Sequence, residues 1–130
     1  MLSAKALASN LLRMSVVIII AGMLIGIVMG IKQDFRLAPA HAHLNLVGYV
    51  ALFLAGLYYQ AVPKAAHGAL ATVHACLAVL GAIVFPAGIA AVLLGGPTYE
   101  VFAIVGALIA FAAMLLFAVI VFRHGAPARA

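Results

Sequence analysis

The sequence predicts an all-α integral membrane protein, a four-helix bundle that forms one domain over residues 1–130. Three observations carry that expectation. The chain is 69% hydrophobic and only 7% charged, where an ordinary soluble domain has about 25% charged residues. Its mean hydropathy is +1.35. Four apolar runs, Ser15–Ile31, His41–Val62, Ala69–Leu94 and Tyr99–Phe122, meet or approach the roughly 20 residues that a helix needs to cross a hydrocarbon core.

The first run follows Lys5 and Arg13, as a signal peptide's apolar region follows positive charge, but no small-residue cleavage site ends it, so it is expected to stay as a helix. Gly22, Gly26 and Gly30 form a small-xxx-small row, which suits either packing within the chain or self-association. Residues 32–39 make the first loop, and Pro39 suits the start of the second helix, where its missing N–H is not needed. A turn over residues 63–68 leads to the third helix, in which Pro86 is expected to cause a kink, with neighbours satisfying the carbonyl it frees. A second short turn over residues 95–98 precedes the fourth helix, where Glu100 reads as an interfacial cap. Such short connections predict antiparallel neighbours.

Positive charge sets the expected orientation. Lys5, Arg13, Lys64, Arg123 and Arg129 fall on one side of a four-span chain, and only Lys32 and Arg36 on the other. Lys and Arg accumulate on the cytoplasmic side, so both termini are predicted there, in what is expected to be a bacterial cytoplasmic membrane. The net charge of +5 is then a topology signal with anionic lipid as partner; no basic run or aromatic platform points to nucleic acid. One cysteine, Cys76, excludes an intrachain disulfide and reads as a small core residue. Asp34 and Glu100 are the only carboxylates, too few for paired acid/base chemistry or a buried acidic proton wire. No serine has a recognisable base partner and there is no P-loop. An enzyme is therefore not the favoured expectation.

The second span opens with His41-Ala42-His43-Leu44-Asn45-Leu46-Val47-Gly48-Tyr49-Val50. Ionisable side chains are costly in a spanning segment and usually mark a function. Successive residues of an α-helix turn by about 100°, which sends the two imidazoles about 200° apart. Helical chelating pairs stand at i and i+3 or i+4, so this spacing suits a helix offering one imidazole to each of two sites. Haem is the natural candidate, because histidine is a common axial ligand and an apolar porphyrin suits a membrane interior. Asn45 and Gly48 share the face of His41. Gly48 leaves room for a flat ring, while Asn45 is a donor for a ligand or imidazole, or for an interhelical bond. Lys32 and Arg36, just outside this end, are placed to pair with propionate carboxylates or to snorkel to lipid phosphate. The plainer alternative is an interfacial histidine pair satisfied by water and headgroups.

The stretch from His41 to Tyr49, followed by Gly56, Tyr58, Tyr59, Pro63 and Lys64, resembles the tenth helix of the haem-copper oxidase catalytic subunit. The closest versions are those of the cbb-type oxidases and nitric oxide reductases. The resemblance implies that His41 and His43 are axial ligands of two different haems. It also implies that the helix begins on the outer side, in agreement with the charge pattern. His74, with Leu77 and Gly81, is a weaker parallel to the next helix and is not carried over as a ligand. Depth argues likewise, since His43 lies about 20 residues from the inner turn and His74 about 10, a difference of about 15 Å. His67 and His124 read as solvated interface residues, and Tyr49, Tyr58 and Tyr59 as packing or interfacial aromatics.

The family's copper-binding histidines have no counterpart here, so a binuclear oxygen- or nitric-oxide-reducing centre is not implied. Its twelve helices form three four-helix arcs, and a chain resembling one arc implies a cyclic homotrimer. A haem at each interface would take His41 from one subunit and His43 from the next. The expected protein is thus a b-type cytochrome holding haem b (iron protoporphyrin IX) for electron transfer with an unidentified redox partner. Two rivals stay open: a haem enzyme or sensor that binds oxygen or nitric oxide at a free axial position, and a copper- or zinc-binding scaffold or assembly protein with its site between chains.

Overall fold

Ser3 starts the first helix: its Oγ accepts the Ala6 N–H at 3.2 Å, satisfying a donor that the first turn leaves free. In the computed structural model, which describes residues 3–125, every regular element is helical. Among the described residues, four helices are long and apolar enough to span a membrane. They are α1 (Ala4–Lys32), α2 (Ala38–Ala61), α3 (Ala69–Gly95) and α4 (Glu100–His124), the last led in by a short 3-10 turn over Pro97–Tyr99. Arg129, part of the charge argument, lies outside the described residues.

α1 begins well before its apolar run because Leu7, Ala8 and Leu11 are buried and continue the same face as Ser15, Ile18 and Gly22. It ends at Gln33, whose φ of 51° and N–H to the Met29 carbonyl make a left-handed cap. Gly68 and Gly96, at φ of 95° and 96°, turn the chain into the next two helices, a conformation that side-chain-bearing residues avoid.

α2, expected as one regular helix, is composite. An α-helical start over Ala38–His43 passes into a π-helical segment, Leu44–Ala51, and returns to α over Leu52–Ala61. π segments are rare and frequently accompany functional sites. This one starts directly after His43.

Packing runs in chain order. α1 and α2 are antiparallel, with Gly26 beside His41, Gly22 beside Asn45, Ile18 beside Gly48, and Ala8 beside Gly56. The glycine row of α1 thus serves packing within the chain at Gly22 and Gly26, whereas Gly30 has nothing within 4 Å. α3 and α4 approach most closely of all. A Cβ on Gly81 would stand 2.8 Å from Ala110 Cα, one on Gly106 2.5 Å from Phe85 Cα, and one on Gly88 would collide with the backbone of Ala103. Without water to drive association, such backbone contact supplies the dispersion that holds spanning helices together. α3 runs unbroken through Pro86. The carbonyl that Pro86 leaves free, that of Ala82, lies 3.7 Å from where a Gly48 Cβ would be, so α2 covers it.

The first half of α2 packs closely on α3, and its second half diverges from it. Large side chains fill the gap. Tyr58 and Tyr59 meet Phe117 of α4 at ring separations of 5.4 and 6.2 Å, and Tyr58 Oη donates to the Gly125 carbonyl at 3.4 Å. The start of α1, the end of α2 and the end of α4 therefore share one end of the bundle, here the terminal end; His41 and His43 sit near the opposite end. Cys76, expected in the core, is exposed on an apolar groove between α1 and α3. Its helix face lies where α2 does not reach.

Candidate functional site

The two histidines are bound differently by the fold. His41 turns toward α1, where Gly26 gives it space: a Cβ there would stand 3.1 Å from the ring's Cε1. One turn on, Asn45 lies over Gly22 so closely that no Cβ fits beneath its Oδ1. Asn45 Nδ2 is 3.2 Å from His41 Nε2. With the amide as donor, Nε2 is the acceptor and the ring hydrogen sits on Nδ1. His41 Nδ1 and Asn45 Oδ1 are the buried side-chain polar atoms that have no hydrogen-bond partner among the described residues. An unsatisfied buried polar atom costs about 1–3 kcal/mol, and natural proteins keep few of them, often where function needs them.

His43 turns the other way. Its Nδ1 donates to the Pro39 carbonyl at 2.8 Å, which fixes the tautomer and leaves the Nε2 lone pair free. The edge of Phe85 on α3 meets the ring at 4.8 Å and 70°. A metal-bound imidazole characteristically donates its second nitrogen's hydrogen to a carbonyl or carboxylate, which sets the ring and raises its basicity. His43 is already arranged so.

The other residues singled out from the sequence fall into two groups. Gly48 is buried, and a Cβ on it would meet Ile18 Cγ2 at 2.6 Å, so the space at this position is taken up by α1. Arg36 forms a two-pronged ion pair with Asp34, Nε to Oδ1 at 3.0 Å and Nη2 to Oδ2 at 2.7 Å. The guanidinium holds the exposed Asp34 carboxyl down at about 2, and the carboxylate raises Arg36 in turn. Lys32 makes no ion pair among the described residues. It and Arg36 border a cleft of about 140 Å³ with an apolar floor of Val28, Met29, Leu37 and Leu94.

Do these residues suit a haem? His43 does, by its fixed tautomer and free Nε2. His41 offers Nε2 only when Asn45 releases it. Lys32 is a cation available to a propionate, whereas Arg36 is already engaged. Among the described residues no three His, Cys, Asp or Glu side chains converge.

One polar pair escaped sequence reasoning. Tyr59 and His74, read separately as a packing aromatic and as a histidine without a role, are joined at 2.8 Å and almost fully buried. They are far apart in sequence and no periodicity links them; the sole signal was a histidine deep inside an apolar run.

No family model, no curated protein and no solved structure matches this chain.

Proposed function

We propose that this chain is a haem-binding membrane protein, a b-type cytochrome that assembles as a ring of three and holds bis-histidine haem between subunits for electron transfer. The observation that carries the reading is His43: a ring fixed by the Pro39 carbonyl, with Nε2 free, on a spanning helix. The resemblance of the His41–Tyr49 stretch to the haem-bridging helix of haem-copper oxidases supports the same chemistry. Haem would supply one-electron exchange at iron.

The chain's own residues would do the rest. His43 of one subunit and His41 of the adjoining subunit would hold the group, His41 once its Asn45 contact opens. Lys32 would pair with the group's carboxylates, and the apolar helices would exclude water. The charge asymmetry that puts Lys5, Arg13, Lys64 and Arg123 at one end favours a cytoplasmic terminal end. The electron partner is unidentified and membrane lipid surrounds the ring.

A closed ring has as many interfaces as chains, so the scheme requires about one haem per chain after reconstitution. Oxidised and reduced spectra of the purified protein should be those of six-coordinate haem. His41→Ala and His43→Ala should each abolish that spectrum, and its retention in both variants would sink the proposal.

One observation favours a second reading. Because Asn45 occupies His41 Nε2, a haem held by His43 alone would keep an axial position open to oxygen or nitric oxide. Carbon monoxide binding to the reduced wild-type protein separates this sensor or enzyme from pure electron transfer. A colourless preparation containing copper or zinc would instead favour a metal-binding scaffold.

A further inference from the structure

α1 and α3 stand apart where α2 does not reach, and leave between them an apolar groove of about 420 Å³. Leu11 and Met14 of α1 and Val79, Leu80 and Ile83 of α3 line it, and no side chain of α2 or α4 does. Leu80 and Ile83 are 47% and 49% exposed, so the groove opens outward on a chain whose helices are of membrane length. An empty apolar hollow forfeits dispersion contacts, so in a bilayer something fills it. Depth and charge decide what.

Arg13 and Lys32 bound the uncharged stretch of α1. Their separation, about 28 Å at 1.5 Å per residue, matches a hydrocarbon core of about 30 Å. Arg13 therefore marks the headgroup level at the terminal end. The groove crosses that level: Leu7 and Asn10 line it on the water side, while Met14 and Ile83 continue it into the hydrocarbon. Asn10 and Arg13 are both exposed and, three residues apart, are neighbours on the helix surface. Side chains of a helix lean over the preceding turn, which carries the Arg13 guanidinium back toward Asn10 while its stem stays on apolar surface.

Lys5, Arg13, Lys64 and Arg123 all lie at the terminal end, whereas the side-chain carboxylates, Asp34 and Glu100, lie at the other. Arg13 makes no ion pair among the described residues. A second copy inserted with the same orientation would bring its own cations to this level and no carboxylate. An amphiphile with an acidic head and an acyl tail matches the groove in charge and in depth.

We propose that this groove binds an anionic phospholipid of the leaflet at the terminal end. Its phosphate meets Arg13 and Asn10, and one acyl chain lies along Met14, Val79 and Ile83. The site is separate from the histidines and does not rest on the haem reading.

The chain has no tryptophan, so an introduced indole reports alone. The full chain carrying Leu80→Trp is placed in phosphatidylcholine vesicles that contain, at equal mole fraction, either phosphatidylglycerol or phosphatidylcholine brominated on the acyl chain, which quenches indole on contact. Leu115→Trp is the control: it is exposed on α4 at a similar distance from the terminal end and sees the same bulk lipid. Quenching of Leu80→Trp should show a preference for phosphatidylglycerol about fivefold above that at Leu115→Trp, the gain that one basic residue gives at a membrane surface. Adding Arg13→Gln should lower that preference to the control value. Ile83→Trp reports on the same groove if Leu80→Trp does not fold. The same preference at groove and control, or a preference that survives Arg13→Gln, would overturn the proposal. So would the absence of quenching by either lipid in the groove, the result expected if a second copy fills it.

Discussion

Gly106→Ala tests how closely α3 and α4 must approach. The added Cβ would stand 2.5 Å from Phe85 N and Cα and 2.8 Å from the Val84 carbonyl carbon. Carbon atoms in contact prefer about 3.5–4.0 Å, so the helices would have to part by about 1 Å at this crossing. Backbone atoms cannot swing aside as a side chain can. Parting also loosens the adjoining contacts of Gly81 with Ala110 and of Gly88 with Ala103. Overpacking of this kind costs about 1–3 kcal/mol, and replacing glycine by alanine inside a helix returns about 1 kcal/mol. A net loss of up to about 2 kcal/mol is expected. Gly30→Ala is the control: it sits exposed on α1 with nothing within 4 Å, so only the helix-propensity gain applies. Equilibrium unfolding in mixed micelles of rising SDS content, followed by circular dichroism, should show a lower midpoint for Gly106→Ala and an unchanged or higher one for Gly30→Ala. Equal midpoints for the two variants would refute the close-packed hairpin.

Two more outcomes are expected. Gly22→Ala forces Asn45 off its seat and removes the partner of His41 Nε2, so bis-histidine haem should form more completely on reconstitution; reduced haem binding would show that Asn45 positions the ligand rather than competing for it. Asp34 is depressed from 3.8 to about 2, so its pairing with Arg36 is complete above the ordinary carboxylate range and is lost as pH falls through about 2. The carboxyl carbon shift should titrate near that lower value, and titration near 4 would disprove the pair; both groups are exposed, so Asp34→Asn should barely move the unfolding midpoint.

The spans could be read from the sequence because a bilayer demands long apolar runs and tolerates few charges within them. Their edges were less legible. α1 extends back to Ala4 because Leu7, Ala8 and Leu11 are buried, although Lys5, Asn10 and Arg13 break the apolar run. The π segment left no sequence signal, since Leu44–Ala51 contains ordinary helix-compatible residues. Cys76 was placed in the core by residue type alone, and its exposure follows from the lateral separation of α1 and α3.

By itself, the sequence determined four membrane-length helices and the pair of histidines at the opening of the second, because length, apolarity and ionisable side chains are properties of the chain. Only the tertiary structure decided what each imidazole touches. Gly22 and Gly26 let α1 come close enough to hold His41 and Asn45, while the Pro39 carbonyl holds His43 with Nε2 free. The structure also joined Tyr59 to His74 across the gap between α2 and α3. Helix periodicity fixes the direction of a side chain from its own axis, but its partner depends on how closely the next helix can approach.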